Sequence, residues 1–238
     1  MTHSTQAAIV TGASRGLGRA LAEALARRGT KVVLVGRGEA ALRAAEAGIR
    51  AEGGEAHAVV ADLGDKHAIH PLAATAAELV GPVDLLVHNA SELGPTPLRP
   101  LLDTECEDLE RGLAVNLVGP FRLTKLVAGT MALRRQGTLV FVSSDASVNA
   151  YPGWGSYSVS KAALDHLARL FAAELGAYGV RSLSVDPGEM DTLMHRAALP
   201  ESDPATLARP EDVAARILRL LAAEVPNGAR VEAGSFAP

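Results

Sequence analysis

Ala7-Ala8-Ile9-Val10-Thr11-Gly12-Ala13-Ser14-Arg15-Gly16-Leu17-Gly18 is the stretch that decides the fold. An apolar run of strand length, residues 7–10, enters a turn with glycines at 12, 16 and 18, and an Ala/Leu-periodic helix follows over 17–28. Glycines here permit a tight turn, let backbone N–H groups approach a pyrophosphate, and let the helix pack close to the strand. The spacing is Gly-x-x-x-Gly-x-Gly, not the more widespread Gly-x-Gly-x-x-Gly. A glycine turn alone can be structural. Set between a strand and a helix, it reads as a dinucleotide site, with Gly12, Ser14, Arg15, Gly16, Leu17 and Gly18 around the phosphates.

Outward from this turn the strand–helix alternation repeats. Further strands are expected at residues 31–35, 56–60, 83–87, 138–142, 180–185 and 229–232. Most are apolar on both sides of the pleat, as parallel strands covered on both faces are. Helices are expected at 39–52, 66–79, 106–134, 156–178 and 210–223. Interleaved in this way they form right-handed βαβ units. The expectation is an α/β, single-domain, Rossmann-type doubly wound parallel sheet of about seven strands with helices on both faces, spanning 1–238. Residues 189–209, rich in Pro, Met and Ala, read as an irregular insertion long enough to act as a lid over a substrate. Ligands in such sheets bind beyond the carboxyl ends of the strands, where every motif of this chain falls.

Composition narrows the partners. Hydrophobic residues make up 48 % of the 238 and charged residues 21 %, which supplies a core and argues against disorder. A formal net charge of −4 disfavours nucleic acid or an anionic membrane as the main partner. Cys106 is the only cysteine, so neither an intrachain disulfide nor a cysteine-based metal cluster can form. His67 and His70 fall three apart on an expected helix without a third ligand in view, and no metal is expected. The short polar start, residues 1–6, lacks the features of a signal peptide, and no run reaches the roughly 18–20 apolar residues of a membrane span. A cytoplasmic protein is the expectation.

The second strand bears on the choice of cofactor. It ends at Val35-Gly36-Arg37, where a carboxylate would bind the two ribose hydroxyls of NAD. Gly36 offers none, and Arg37 with Arg15 can hold a 2′-phosphate instead, which favours NADP(H). NAD(H) stays open through Glu39. Asp62-Leu63, after the third strand, falls near the adenine, although Asp62 could equally cap the next helix.

Tyr157 and Lys161 lie one helical turn apart, with Ser144 thirteen residues upstream. Residues four apart on a helix share a face, so the ammonium can sit beside the phenol and lower its pKa toward a range useful for proton exchange. Pro120 lies four residues after Asn116 and has no N–H to give back, which frees the Asn116 carbonyl and bends the helix. A proline kink serving only packing is the alternative.

With these motifs in place the chain resembles the short-chain dehydrogenase/reductase family. The glycine turn, Asp62, Asn89-Ala90, Asn116, Ser144, Tyr157, Lys161 and Pro187-Gly188 stand in the family's order and at its approximate spacings. The resemblance implies that Tyr157 is the general acid/base and that Ser144, rather than neighbouring Ser143, holds the substrate oxygen. It further implies that Lys161 lowers the tyrosine's pKa and binds the nicotinamide ribose, and that Asn116 anchors a water relay. Cofactor contacts are implied for Asn89, Ala90, Tyr157, Lys161, Pro187, Gly188 and Thr192. The implied reaction is NADPH-dependent reduction of a small carbonyl compound, or the reverse alcohol oxidation. A catalytically silent NADP-binding sensor or scaffold is the alternative, disfavoured because Tyr157 and Lys161 are both retained. Two departures stand out, His88 and Ser91, where the family has Asn-Asn-Ala-Gly. Possible substrate-facing residues are Glu92, Leu93, Asp145, Tyr151, Trp154, Met190, Met194 and His195. A homodimer or homotetramer is expected by resemblance, through the helices at 106–134 and 156–178.

Overall fold

Seven strands run parallel in one sheet. The computed structural model describes residues 6–236, so residues 1–5 of the polar start lie outside it. The strands are β1 (Ala7–Thr11), β2 (Lys31–Gly36), β3 (Ala56–Val60), β4 (Leu85–His88), β5 (Gly137–Val142), β6 (Val180–Asp186) and β7 (Arg230–Glu232), in the order β3-β2-β1-β4-β5-β6-β7. Between them lie α1 (Gly16–Ala26), α2 (Glu39–Ala51), α3 (Ile69–Val80), α4 (Cys106–Leu113), α5 (Gly119–Arg134), α6 (Gly155–Leu175), α7 (Leu193–Ala198) and α8 (Pro210–Ala222).

Side chains alternate across the pleat, which divides the core in two. Ala8 and Val10 of β1 pack with Val32 and Leu34 of β2 beneath α1, α2 and α8. Ala7 and Ile9 pack with Val33 and Val35 beneath α3, α5 and α6. Both faces are therefore covered, as the continuous apolar runs required. Strand order reverses beside β1, which pairs with both β2 and β4, and a crevice opens there over the carboxyl ends.

Three segments differ from expectation. The single bent helix expected over 106–134 is two helices joined by a π-helical turn, Ala114–Val118. The Gly119 N–H bonds to the Ala114 carbonyl, and Pro120 has no N–H for Asn116, so the ladder slips by one residue at the proline. The third helix starts at Ile69 rather than 66, because Asp65 accepts the His67 N–H (2.9 Å) and closes a separate turn. His67 therefore lies outside α3 and does not share a helical face with His70. Residues 189–209 are not wholly irregular. They carry α7, whose N-cap Thr192 accepts the His195 N–H at 3.2 Å. The ends of the segment are tied where Asp191 N–H reaches the Ala208 carbonyl (3.0 Å). No described helix is long and apolar enough to cross a membrane.

Candidate active site

The turn after β1 is shaped by close approach. Gly12 (φ 68°) and Gly16 (φ 55°) take left-handed conformations that favour glycine. A Cβ on Gly12 would stand 2.8 Å from the Ala90 Cα. Thr11 locks this contact, since its Oγ1 accepts the Asn89 and Ala90 N–H groups, each at 3.0 Å. The Asn89 amide in turn donates to the Thr11 carbonyl at 2.9 Å and the Gly12 carbonyl at 3.3 Å. Gly18 works differently from the cofactor contact expected of it. It does not line the cleft, and a Cβ there would lie 2.4 Å from both Asn89 Nδ2 and the Gly12 carbonyl oxygen. Its role is to let α1 pack against the turn.

The start of α1 is built to receive an anion. Its N-cap, Arg15, makes no side-chain cap, and no acid occupies the first turn, so the leading N–H groups are left to a ligand. A Cβ on Gly16 would project toward Thr192, 3.5 Å away across the groove. That is ordinary contact, so it is the left-handed φ of 55° rather than space that favours glycine there. The residues present therefore fit a dinucleotide pyrophosphate.

The groove is a cleft of about 980 Å³ running from this turn to Tyr157 and Lys161. Its wall includes Gly12, Ser14, Arg15, Gly16 and Leu17 at the glycine turn and Arg37, Asp62 and Leu63 at the ends of β2 and β3. Asn89, Ala90, Pro187 and Thr192 line it toward the catalytic end. Gly188 does not line it. Its φ of 73° and its N–H bond to Asp186 Oδ1 (3.0 Å) make it the turn that leads the chain out of β6.

Arg37 and Arg15 are exposed, and Arg37 faces Glu92 Oε2 at 3.4 Å. Asp62 does not cap α3, which begins seven residues later. It accepts the Gly64 N–H at 2.8 Å and the Arg111 guanidinium at 2.9 Å. Burial works against its charge, but those two partners hold its carboxyl below the usual range. Arg111, which also reaches Glu92 at 3.3 Å, carries no motif signal and was not legible from the sequence.

Of the four candidate catalytic residues, Tyr157 and Lys161 line the cleft and Ser144 and Asn116 do not, whereas Ser143 does. Tyr157 is 9 % exposed and Lys161 2 %, and the Lys161 Nζ lies 5.5 Å from the centre of the tyrosine ring. The ammonium donates to the Val142 carbonyl at the end of β5 (2.7 Å). Of the adjoining serines, Ser143 turns to Ser147 (3.2 Å), whereas the Ser144 hydroxyl acts on Tyr157 and donates to Asp145 Oδ1 (3.0 Å). Asn116, buried in the π turn, does not line the cleft. Its side chain accepts the Glu92 N–H (2.7 Å) and donates to the Glu92 carbonyl (2.8 Å) and to Ser160 Oγ (2.9 Å).

The expected lowering of the tyrosine pKa is not what the structure shows. Burial pushes the Tyr157 phenol up to about 12, the charges of Asp186 and Asp145 add to this, and the Ser144 and Ser91 hydroxyls oppose it. Burial also pulls Lys161 down to about 8, against the attraction of Asp165 and Asp186. Desolvation is the largest cause of both shifts, because both groups are buried at the floor of the cleft. His88 is likewise buried, its pKa pulled down to about 3, stacked on Phe141 and bonded through Nε2 to Thr124 (2.8 Å). It is a neutral core histidine.

On the substrate side, Leu93 and Trp154 pack around Tyr157, with the indole edge-on to the phenol at 5.7 Å. Tyr151 bonds Asp145 (2.7 Å), and Met190 and Met194 line the cleft, but Glu92 and His195 do not.

Comparison with known proteins follows the same lines. The family model described as short chain dehydrogenase matches residues 6–203. The chain is 36 % identical to a 3-oxoacyl-[acyl-carrier-protein] reductase of Synechocystis sp., over 98 % of this chain and 95 % of that one. It is 38 % identical to carbonyl reductase [NADPH] 2 of Sus scrofa, over 86 % of this chain and 79 % of that one. A solved short chain dehydrogenase from Shigella flexneri complexed with NADP superposes with a TM-score of 0.90 at 29 % identity, covering 96 % of this chain and 97 % of that one.

Proposed function

Because this chain belongs to the short-chain dehydrogenase/reductase family, we propose that it reduces a small carbonyl compound with NADPH, or oxidises the matching alcohol. One observation carries the reading. The anion-receiving turn and the Tyr157–Lys161 pair open on one cleft, so a nucleotide seated on the turn reaches the proton donor.

A bound nicotinamide would supply or accept the hydride at the carbonyl carbon. The chain's own part is proton transfer and orientation. Tyr157, neutral at pH 7, is the acid that protonates the nascent alkoxide, and Ser144 hydrogen-bonds the same oxygen. With its pKa pushed up to about 12, the phenol carries its proton at pH 7, the form that donates in reduction. Lys161, carried beside Tyr157, would hold the nicotinamide ribose, and Asn116 braces the Glu92 backbone. Arg37 and Arg15 would hold the 2′-phosphate. Trp154 against Tyr157 narrows the site toward small or flat substrates.

A homodimer or homotetramer fits this reading, supported by exposed Phe121 and Leu133 on α5 and Val159 and Leu170 on α6. A cytoplasmic location is part of it, resting on composition. The test is NADPH oxidation across ketones, aldehydes, diketones and quinones, alongside fluorescence titration of NADPH. Binding without turnover of any carbonyl would favour a cofactor-binding sensor.

A further inference from the structure

Arg230 of β7 lies beneath the site rather than on the cleft wall, its side chain 19 % exposed. Its Nη2 donates to Asp186 Oδ2 (2.7 Å) and to the Ser144 carbonyl (2.9 Å). Its Nε donates to Asp165 Oδ2 (3.2 Å) and Ser147 Oγ (3.3 Å). Ser147 donates its own hydroxyl to Asp165 Oδ2 at 2.6 Å. One planar guanidinium thus ties together the turn that presents Ser144, the helix that carries Tyr157 and Lys161, and the strand end before Pro187.

The charges are arranged around Lys161. Asp165 lies one helical turn beyond it on α6, Asp186 faces it from β6, and Arg230 comes from β7. The Tyr157 phenol and the Val142 carbonyl complete its surroundings. Both carboxylates favour the charged lysine, and Arg230 is the counter-charge to both. Asp165 Oδ1 is buried without a hydrogen-bond partner among the described residues, so its charge is incompletely met.

We propose that Arg230 is a positioning residue for catalysis: it fixes the Ser144 carbonyl against the Tyr157–Lys161 turn and, by offsetting Asp165 and Asp186, sets the proton affinity of Lys161. The inference rests on the reading of Tyr157 and Lys161 as the proton-transfer pair.

The test is an NMR titration of the lysine side chains in the full chain, with Lys31, Lys66 and Lys125 as internal references. In Arg230→Gln the Lys161 midpoint is expected to rise by about one pH unit above its value near 8. Arg230→Lys should leave it in place, and Asp165→Asn should lower it. With a carbonyl substrate, Arg230→Gln should lower kcat about tenfold with KM nearly unchanged, and Arg230→Lys should recover much of the loss. An unmoved Lys161 midpoint in Arg230→Gln, with only thermal stability lost, would make Arg230 a structural tie and overturn the proposal. Should Arg230→Gln not fold, Asp165→Asn decides, and a midpoint that does not fall overturns it equally. If the wild type turns over no carbonyl, the reading of the reaction fails, while the titrations still decide what Arg230 does to Lys161.

Discussion

Gly18→Ala is the substitution whose outcome is most directly set by distance. The added Cβ would sit 2.4 Å from the Gly12 carbonyl oxygen and from Asn89 Nδ2, where non-bonded carbon contacts settle near 3.5–4.0 Å. Neither neighbour is the loose end of a flexible chain. One is turn backbone, and the other is held by bonds of 2.9 and 3.3 Å. The start of α1 must therefore back away from the turn by about 1 Å. Overpacking of this kind costs about 1–3 kcal/mol, and a strained Asn89 bond adds about 1 kcal/mol. Replacing a helical glycine by alanine returns about 1 kcal/mol. The net loss of about 1–3 kcal/mol corresponds to about 2–12 °C in Tm for a chain of this size. Displacement of the anion-receiving N–H groups should weaken NADPH binding by on the order of 10- to 100-fold. Gly129→Ala is the control, since Gly129 lies exposed in α5 and a Cβ there meets nothing within 4 Å. It should gain about 0.5–1 kcal/mol and leave binding unchanged. Scanning calorimetry and fluorescence titration of NADPH read both quantities. A Gly18→Ala protein that keeps its Tm and binds NADPH within a factor of about three of wild type would refute the close-packing role argued from this geometry.

Other outcomes follow from the same site. Tyr157→Phe should lower carbonyl turnover about 10²- to 10⁴-fold while NADPH binds normally, as stopped-assay rates and fluorescence would show. Arg37→Asp removes a charge-assisted contact worth about 1.5–3 kcal/mol and places a carboxylate near Glu92, so the Kd for NADPH should rise about 10- to 100-fold with little change for NADH. Equal shifts for both nucleotides would sink the 2′-phosphate assignment. Lys161 gives a pH dependence of stability with a definite sign. Its folded pKa of about 8 lies below the ordinary lysine value of 10.5, so between these pH values the unfolded chain binds more protons and stability rises with pH. The rise approaches about 1.4 kcal/mol per pH unit and should be missing from urea unfolding of Lys161→Met. Tyr157 has the opposite sign. With its pKa raised from 10.0 to about 12, it contributes stability that is lost as pH climbs through that interval, and Tyr157→Phe should unfold less steeply there.

The layout of the sheet was readable because parallel strands buried on both faces leave unbroken β-branched runs, and the strands appear where 31–35 or 180–185 implied them. Helix boundaries were less readable, since they depend on local competition for N–H groups. Asp65 takes the His67 N–H and delays α3, and Thr192 caps a helix inside a segment whose Pro and Met content reads as loop. Thr192 followed by Leu-Met-His-Arg-Ala-Ala was the available signal for α7. The slip at Pro120 was visible as a bend but not as a π turn, because which carbonyl goes without a donor depends on how the residues on either side re-pair.

The candidate catalytic residues were legible through spacing, but their charge states were not. Tyr157 and Lys161 stand four apart, and that separation alone argues for a lowered phenol pKa. Spacing carries no information about burial, and burial decides the matter. With Tyr157 9 % and Lys161 2 % exposed, desolvation disfavours phenolate and ammonium alike, pushing the phenol's pKa up and the lysine's down so that the two move apart. The partners that tune them come from distant parts of the chain. Arg230 is 86 residues from Ser144 and 65 from Asp165, joined to them only by the adjacency of β5, β6 and β7. The protonation states of the pair are therefore set by burial and by carboxylates on α6 and β6 as much as by their spacing on one helix: the phenol is held neutral, and Asp165 and Asp186 oppose the loss of charge on Lys161.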